Sequence, residues 1–442
     1  MQLPRILLMF LLLAPMAQAR DIPVQAGADS LQQAILAASA GDVLILGPGT
    51  YPGPVEIDRP LTLDGGGKAV IDGNYKGTVV TITGDDVTLK GLEVTRSGTV
   101  NQFLDSGIKV MKGADRALIE NNTLTDNMHG IDIHGGIDAV ARNNTIIGRQ
   151  NAHMIERGNG FYVWNSPGAV IENNAVRYGR DGIFSNASKK DTYRNNLFRD
   201  LRFAVHYMYT SDSEVSGNIS IGNHLGLAIM FSDRVVVKDN LSLYDRSHGL
   251  MLNFANKSDI SGNLVRGAEK CTFIYNANRN LIVGNRFEGC DIGIHFTAGS
   301  EKNALTENAF VGNREQVKYV GTRDIEWSLE GRGNYWSDHP AFDLNGDGLA
   351  DSPFRPNDLM DSILWSQPSA SLLLGSPAVQ LIRWSQASFP ATMPGGVVDS
   401  HPLMAPIDIA VPAEIAQMAA DVADRWQKVT LDDPELDAET TH

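Results

Sequence analysis

Short apolar runs alternate with polar residues through most of the chain, and the runs return at a fixed spacing. The unit is apolar-x-x-Asn-x-apolar, as in Ile119-Glu-Asn-Asn122-Thr-Leu124. It returns around Asn144, Asn174, Asn196, Asn218, Asn240, Asn263, Asn285 and Asn308, at spacings of 22, 30, 22, 22, 22, 23, 22 and 23 residues. Asn334 follows after 26 residues, and Gly91 reads as an earlier member 31 residues before Asn122. A period this short leaves no room for two helices and suits three short strands joined by bends. Positions two apart share a strand face. The residue two after each Asn therefore forms a stacked core column of Leu124, Ile146, Val176, Phe198, Val265, Phe287 and Phe310, broken at Ser220 and Ser242. A second strand begins about eight residues after each Asn, as in Gly130-Ile-Asp-Ile133 and Gly226-Leu-Ala-Ile229. Around Cys271–Tyr275 two registers one residue apart fit the pattern equally well.

The pattern predicts an all-β, right-handed parallel β-helix of the pectin-lyase-like kind, with the Asn column as an internal hydrogen-bond ladder. Arg5, the apolar run 6–13 and Ala17-Gln-Ala19 read as an export signal over 1–19. Residues 20–60 read as an N-terminal cap and first coil, with a short amphipathic helix over Ser30–Ala38. The coils occupy 61–336, an Asp-rich loop 337–356, and a C-terminal docking segment and tail 357–442, with a helix near Pro412–Lys428. No other stretch holds 18 uninterrupted apolar residues, so no membrane span is predicted in the mature chain. Cys271 and Cys290 lie almost one repeat apart, which allows a disulfide between neighbouring coils or two inert thiols.

Composition agrees with strands and turns: 43 glycines and only 7% aromatics. A net charge of −15 disfavours non-specific nucleic-acid binding, and no nucleic-acid partner is expected. On the second strand one outward column reads Asp132, Phe184, His206, Ala228, Met251, and the next reads His134, Asn186, Met208, Met230, Asn253. Only one of these is a carboxylate, so the paired acids of a glycosidase are not evident. Imidazole and thioether are instead the ligands that Cu(I) prefers. The copper set on this reasoning is His206, Met208, Met230 and Met251, with His153 and Met154 in an insertion near 149–157. Asp343, Asn345, Asp347, Leu349 and Asp351 offer hard oxygens at the alternate positions of a calcium loop, with Gly348 at its sixth position and Phe354 where an EF-hand has Glu. Trp365, Leu372, Leu373, Leu374 and Trp384 make 359–384 an apolar candidate for contact with a membrane partner, and the alternative for 355–400 is a C-terminal cap with a linker.

The Asn ladder, the phrase Gly333-Asn-Tyr-Trp-Ser-Asp338 and the loop Asp343–Phe354 resemble the NosD family, from the signal to about Pro406. The resemblance implies a non-enzymatic periplasmic component of an ABC-type complex, held at the inner membrane by the permease NosY with the ATPase NosF. It implies work with the copper chaperone NosL on the copper centres of nitrous oxide reductase. It supplies no catalytic residues. The alternative reading is a carbohydrate-active or carbohydrate-binding extracellular β-helix, with Tyr162 and Trp164 as exposed aromatics.

Overall fold

The computed structural model describes residues 19–150, 153–297, 299–321, 323–357, 376–388 and 396–429, together with Ile363, Gln367 and Ser369. The export signal, Trp365 and Leu372 to Leu374 lie outside the described residues. Twelve parallel strands stack into one sheet, from Val55–Ile57 at one end to Glu315–Val320 at the other. Two files of shorter strands build the other walls of the coil. One runs from Leu118–Glu120 to Ala304–Thr306, the other from Thr123–Thr125 to Tyr335–Trp336. Thr88–Thr95 is long enough to round the corner between them, pairing with Leu118–Glu120 and with Thr123–Thr125. The chain is the parallel β-helix that its repeat predicts.

The repeated phrase marks that corner. The residue before each ladder Asn from Asn122 to Asn308 is left-handed: Asn121, Asn143, Asn173 and Asn195 have φ of 56°, 55°, 56° and 55°. Asn, Asp and Gly tolerate this conformation best, which is why they fill the position in all these coils but that of Glu307. Gly91, at φ 63°, belongs to this column. The counterpart of the ladder Asn in that coil is Leu92, whose N–H donates to Asn122 Oδ1 at 3.0 Å. The sequence equivalence was one residue off because two adjacent columns favour the same small polar residues.

Within the ladder each Asn serves two neighbours. Asn218 Nδ2 donates to the Tyr193 carbonyl (2.8 Å) and to Asn240 Oδ1 (3.1 Å), and its own N–H reaches the same Oδ1 (2.9 Å). The pattern repeats coil by coil from Asn122 to Asn334. It ends on Asp399, which accepts from the Asn334 N–H and from Trp336 Nε1, both at 2.7 Å. The apolar column two residues on is buried throughout. Where Ser220 and Ser242 replace it, both hydroxyls bond the fully buried Asp245 carboxylate at 2.6 Å.

The ends of the coil are closed. The helix Ser30–Ala37 turns Leu31 and Ile35 inward at the N-terminal end. At the other end Trp336 stacks on Phe310 (centroids 4.3 Å), and the buried Trp327 lies 6.2 Å from both. Val397–Val398 returns to pair with Ile325–Glu326. The helix Ala413–Val429 then lies along the outside of a short-strand file. Ile415, Ala419 and Val422 cover Ile221, Leu241, Leu243 and Leu264 there. Cys271 and Cys290 are joined by a disulfide with Cα atoms 5.7 Å apart. The adjoining register is settled: Thr272 and Ile274 face inward, Phe273 and Tyr275 outward. Among the described residues no helix is long and apolar enough to cross a membrane.

Burial raises Asp245 to about 6, against the hydrogen bonds from Ser220, Ser242 and Asn223 that lower it. The folded state then holds this proton over a window in which the unfolded chain, with an ordinary Asp value of 3.8, has lost it. The stabilisation is complete at low pH and is lost as pH rises from about 4 to about 6. Urea titrations across this window test it: Asp245→Asn should gain on wild type by on the order of 1–3 kcal/mol as pH rises. Parallel pH profiles for the two proteins would contradict it.

Candidate metal-handling face

The long-strand sheet presents three outward columns. The pairings confirm the two read from the sequence, with Asp132–Tyr162–Phe184–His206–Ala228–Met251 in one and His134–Trp164–Asn186–Met208–Met230–Asn253 in the other. The third lies at the strand starts, and Asp181, Phe203, Leu225, His248 and Lys270 succeed one another in it. It precedes an inward small residue, Gly182, Ala204, Gly226, Gly249 and Cys271 in successive coils. A Cβ on Gly182 would sit 2.4 Å from a ring carbon of Phe198 and 2.5 Å from the Ala204 carbonyl oxygen. Two consecutive inward positions, Gly182 and Ile183, shift the alternation by one, so a residue before the glycine shares the outer face.

Asp181 is a residue of this candidate face that the sequence reading missed. Asp181-Gly-Ile183 carries only a partial signal, because Ala204 and Cys271 stand where Gly182 does in other coils and the inward turn of that position is set by packing. It is buried and accepts from the Arg202 guanidinium at 2.8 and 2.7 Å. His206 Nδ1 lies 3.2 Å from its Oδ2. Burial pushes the Asp181 carboxyl up, but the bonds from His206 and Arg202 outweigh it and leave it below the usual carboxylate range. An ionised acceptor there fixes the proton of His206 on Nδ1 and leaves Nε2 with the free lone pair. Phe184 and Phe203 hold the ring edge-on, at centroid distances of 5.0 and 4.8 Å. A carboxylate–imidazole pair of this kind orients a ligand nitrogen.

Met208 pairs in register with Met230, one coil apart, and both are half-buried. His206 stands two residues before Met208 on the same outer face. Met251 pairs with Ala228, which puts it beside the Met230 column. The structure therefore brings His206, Met208, Met230 and Met251 onto three successive strands. His153 and Met154 lie in and beside the short turn Met154–Glu156, ahead of the strand Phe161–Trp164, two coils away. Among the described residues no three or more His, Cys, Asp or Glu are grouped to hold a metal ion. The chemistry available on this face is a soft one, imidazole with thioether, which suits monovalent copper.

Toward the N-terminal end two insertions cover the same sheet. Lys109 Nζ donates to the Phe103 and Leu104 carbonyls at 2.9 and 3.1 Å, beneath one loop. The Arg149 guanidinium ties the other to Ser97, Gly98 and Asp126. Asp132, fully buried there, is ion-paired with Lys109 at 3.2 Å. Tyr162 is half-buried between His129 and Phe184, and Trp164 stacks on His134 at 4.5 Å. His129, His248 and His295 are lowered by burial to about 4, 3 and 4, so all three are neutral at physiological pH.

In the Asp-rich loop, Asp343 accepts from Gly346 and Gly348, Asp347 from Leu349, and Asp351 from the Leu344 N–H. Backbone amides thus hold the turn. Trp384 is 64% exposed on the helix Pro377–Ser388, as is Leu381.

A chain of Pseudomonas aeruginosa named "Probable ABC transporter binding protein NosD" is 38% identical over 411 residues, covering 90% of this chain and 94% of the relative. The chain belongs to the NosD family. The Stutzerimonas stutzeri member of the same name is 36% identical over 371 residues, covering 80% and 85%. The family model described as "Periplasmic copper-binding protein (NosD)" matches residues 149–341, the span that contains His206, Met208, Met230 and Met251. In shape the chain is similar to an exopolygalacturonase of Thermotoga maritima (TM-score 0.51, 13% identity, 69% of this chain and 93% of that one). It is also similar to the alginate lyase AlyF-OU02 (TM-score 0.50, 14% identity, 72% and 92%). At such identities these likenesses concern the β-helix alone.

Proposed function

We propose that this NosD-family chain is the non-enzymatic periplasmic component of an ABC-type complex that serves copper-centre assembly in nitrous oxide reductase. The segment 1–19 exports it, and the permease NosY, with the ATPase NosF, holds it at the inner membrane through 359–384, where Trp384 and Leu381 are exposed. NosL and the reductase dock on it, and copper is its transient cargo.

One observation carries the copper reading: Met208 and Met230 are paired in register beside His206, whose Nε2 is left free by Asp181, in a family described as copper-binding. Met251 flanks this set. His153 and Met154, two coils away, are an outlying pair that a docked carrier would meet separately. The non-enzymatic reading rests on the outer columns. Asp132 is neutralised by Lys109 and Asp181 by Arg202, so no free carboxylate pair stands ready for acid–base work on a sugar. Calcium is proposed as a structural ion of the loop, held by Asp343, Asn345, Asp347, the Leu349 carbonyl and Asp351, where the side-chain oxygens of the four polar residues already shape the turn.

Competitive Cu(I) titration of the mature chain against its His206→Ala/Met208→Ala/Met230→Ala variant should show affinity falling by at least about 100-fold, as loss of most ligands implies. Undiminished Cu(I) binding by the triple variant would remove the site. Deleting 359–384 should release the chain from NosF and NosY, and co-purification of the deletion with both would refute that contact. Calcium should raise the melting temperature of wild type and leave Asp343→Asn/Asp347→Asn unmoved. No calcium-dependent shift in either protein sinks the calcium loop.

A further inference from the structure

Directly after Met208, Met230 and Asn253 the chain turns the corner through Tyr209, Phe231 and Phe254, which have φ of 53°, 50° and 51°. The same left-handed corner is made by Asn165, Ala187 and Asn276 in other coils, so the turn does not call for a ring. Bulky residues are disfavoured in this region. Even so, the three rings stack coil on coil, with centroids 5.2 and 5.1 Å apart and interplanar angles of 22° and 9°. Tyr275 joins edge-on at 5.8 Å. The four are 56%, 37%, 40% and 41% exposed. An exposed ridge of this kind marks a contact surface. Phe231 is stacked between Tyr209 and Phe254, which leaves less flat platform for a sugar ring.

A second stripe follows three residues after the corner; beside Tyr209 and Phe231 it holds the ion pair of Asp212 with Arg234, and from the coil of Phe254 onward it is cationic. In a chain of net charge −15 it carries Lys257, Arg279 and Lys302 on successive coils, all exposed. None of the three forms an ion pair among the described residues. A hollow of about 370 Å³ lies among them, lined also by Asn256, Asn278, Asp233 and Glu301. Asparagine amides and interleaved carboxylates give directional, mixed recognition, which suits a folded protein surface better than a uniformly anionic lipid surface.

From the ridge, the unpaired cations and the thioethers next to them, we infer that this corner is the docking surface for an acidic protein that exchanges copper with this chain. The apolar edge of that partner covers Tyr209, Phe231 and Phe254, and its carboxylates meet Lys257, Arg279 and Lys302. This position sets the partner against Met208 and Met230, each adjacent in sequence to a ridge ring. The inference rests on the copper reading for the partner's cargo, and on the ridge and charges for its docking.

The test measures binding of purified NosL and of purified reductase, separately, to the immobilised mature chain. Two variants are compared with wild type: Phe231→Asn/Phe254→Asn, and Lys257→Glu/Arg279→Glu/Lys302→Glu. Each should weaken binding of at least one of the two proteins by about 10-fold or more, with wild-type affinity falling as salt rises. The melting temperature of the Asn variant should be unchanged or higher, and Cu(I) affinity of both variants unchanged. Affinities within about twofold of wild type for both proteins would overturn the proposal. So would a loss confined to phosphatidylglycerol vesicles, which would make the corner a lipid contact. Partner binding lost in these variants while Cu(I) titration finds no site at Met208 and Met230 would keep the docking surface and remove the copper reading. A confirmed copper site with unmoved partner binding would do the reverse.

Discussion

Every coil must bend its chain inside a packed core and still satisfy the amide groups at the bend. The Asn column meets that constraint. Its side chain donates to a carbonyl of the preceding coil and to the next Asn, and its oxygen takes the N–H that the bend leaves over. A buried amide left unpaired costs about 1–3 kcal/mol, and the bend is repeated in each coil, so one residue type recurs through the helix. The rest of the molecule follows from keeping that column in line. The ladder begins at the backbone of Leu92 and is closed by the Asp399 carboxylate. The Trp336 phrase that resembles the family is the plug around that closure.

A ladder inside the coil leaves the outside free. Parallel pairing at one-coil intervals turns any repeated position into a column with a constant pitch, and the long-strand sheet uses this to place side chains from separate coils side by side. Where a polysaccharide enzyme would expose carboxylates, this face neutralises Asp132 and Asp181 with Lys109 and Arg202. Its neighbouring positions carry imidazole, thioether and rings. The Asp181–His206 contact orients the imidazole, while the methionines need only register to come together. The aromatic corner directly follows the strands that carry Met208 and Met230, and the cation stripe begins on the coil of Phe254.

Buried carboxylates inside the coil have a different role. Asp245 fills the gap where Ser220 and Ser242 interrupt the apolar column, and it bonds to both. Asp191 does the same with Tyr193 and Ser188, and burial raises it to about 7. Both act as proton-holding polar cores, opposite in sign to His129, His248 and His295, which burial keeps neutral. Stability against pH is therefore the sum of two opposed sets of buried groups.

The repeat alone determined the β-helix, its core column and two of its three outward columns, because strand alternation and coil pitch are local rules that the hydrophobic pattern must obey. It also put Met208 beside Met230. Three things were decided only by the folded chain. The register at Cys271 was settled by which residues face the core, Thr272 and Ile274, and a one-residue shift is invisible to a pattern of alternating apolar residues. The column holding Asp181 was hidden by the inward glycine, whose reason is the Phe198 ring packed against it from elsewhere in the coil. The closing of the ladder by Asp399, 65 residues beyond Asn334, and the return of the helix Ala413–Val429 onto Leu241 and Leu264 depend on contacts between distant segments. No periodicity encodes them, because they occur once, and only burial in three dimensions selects them.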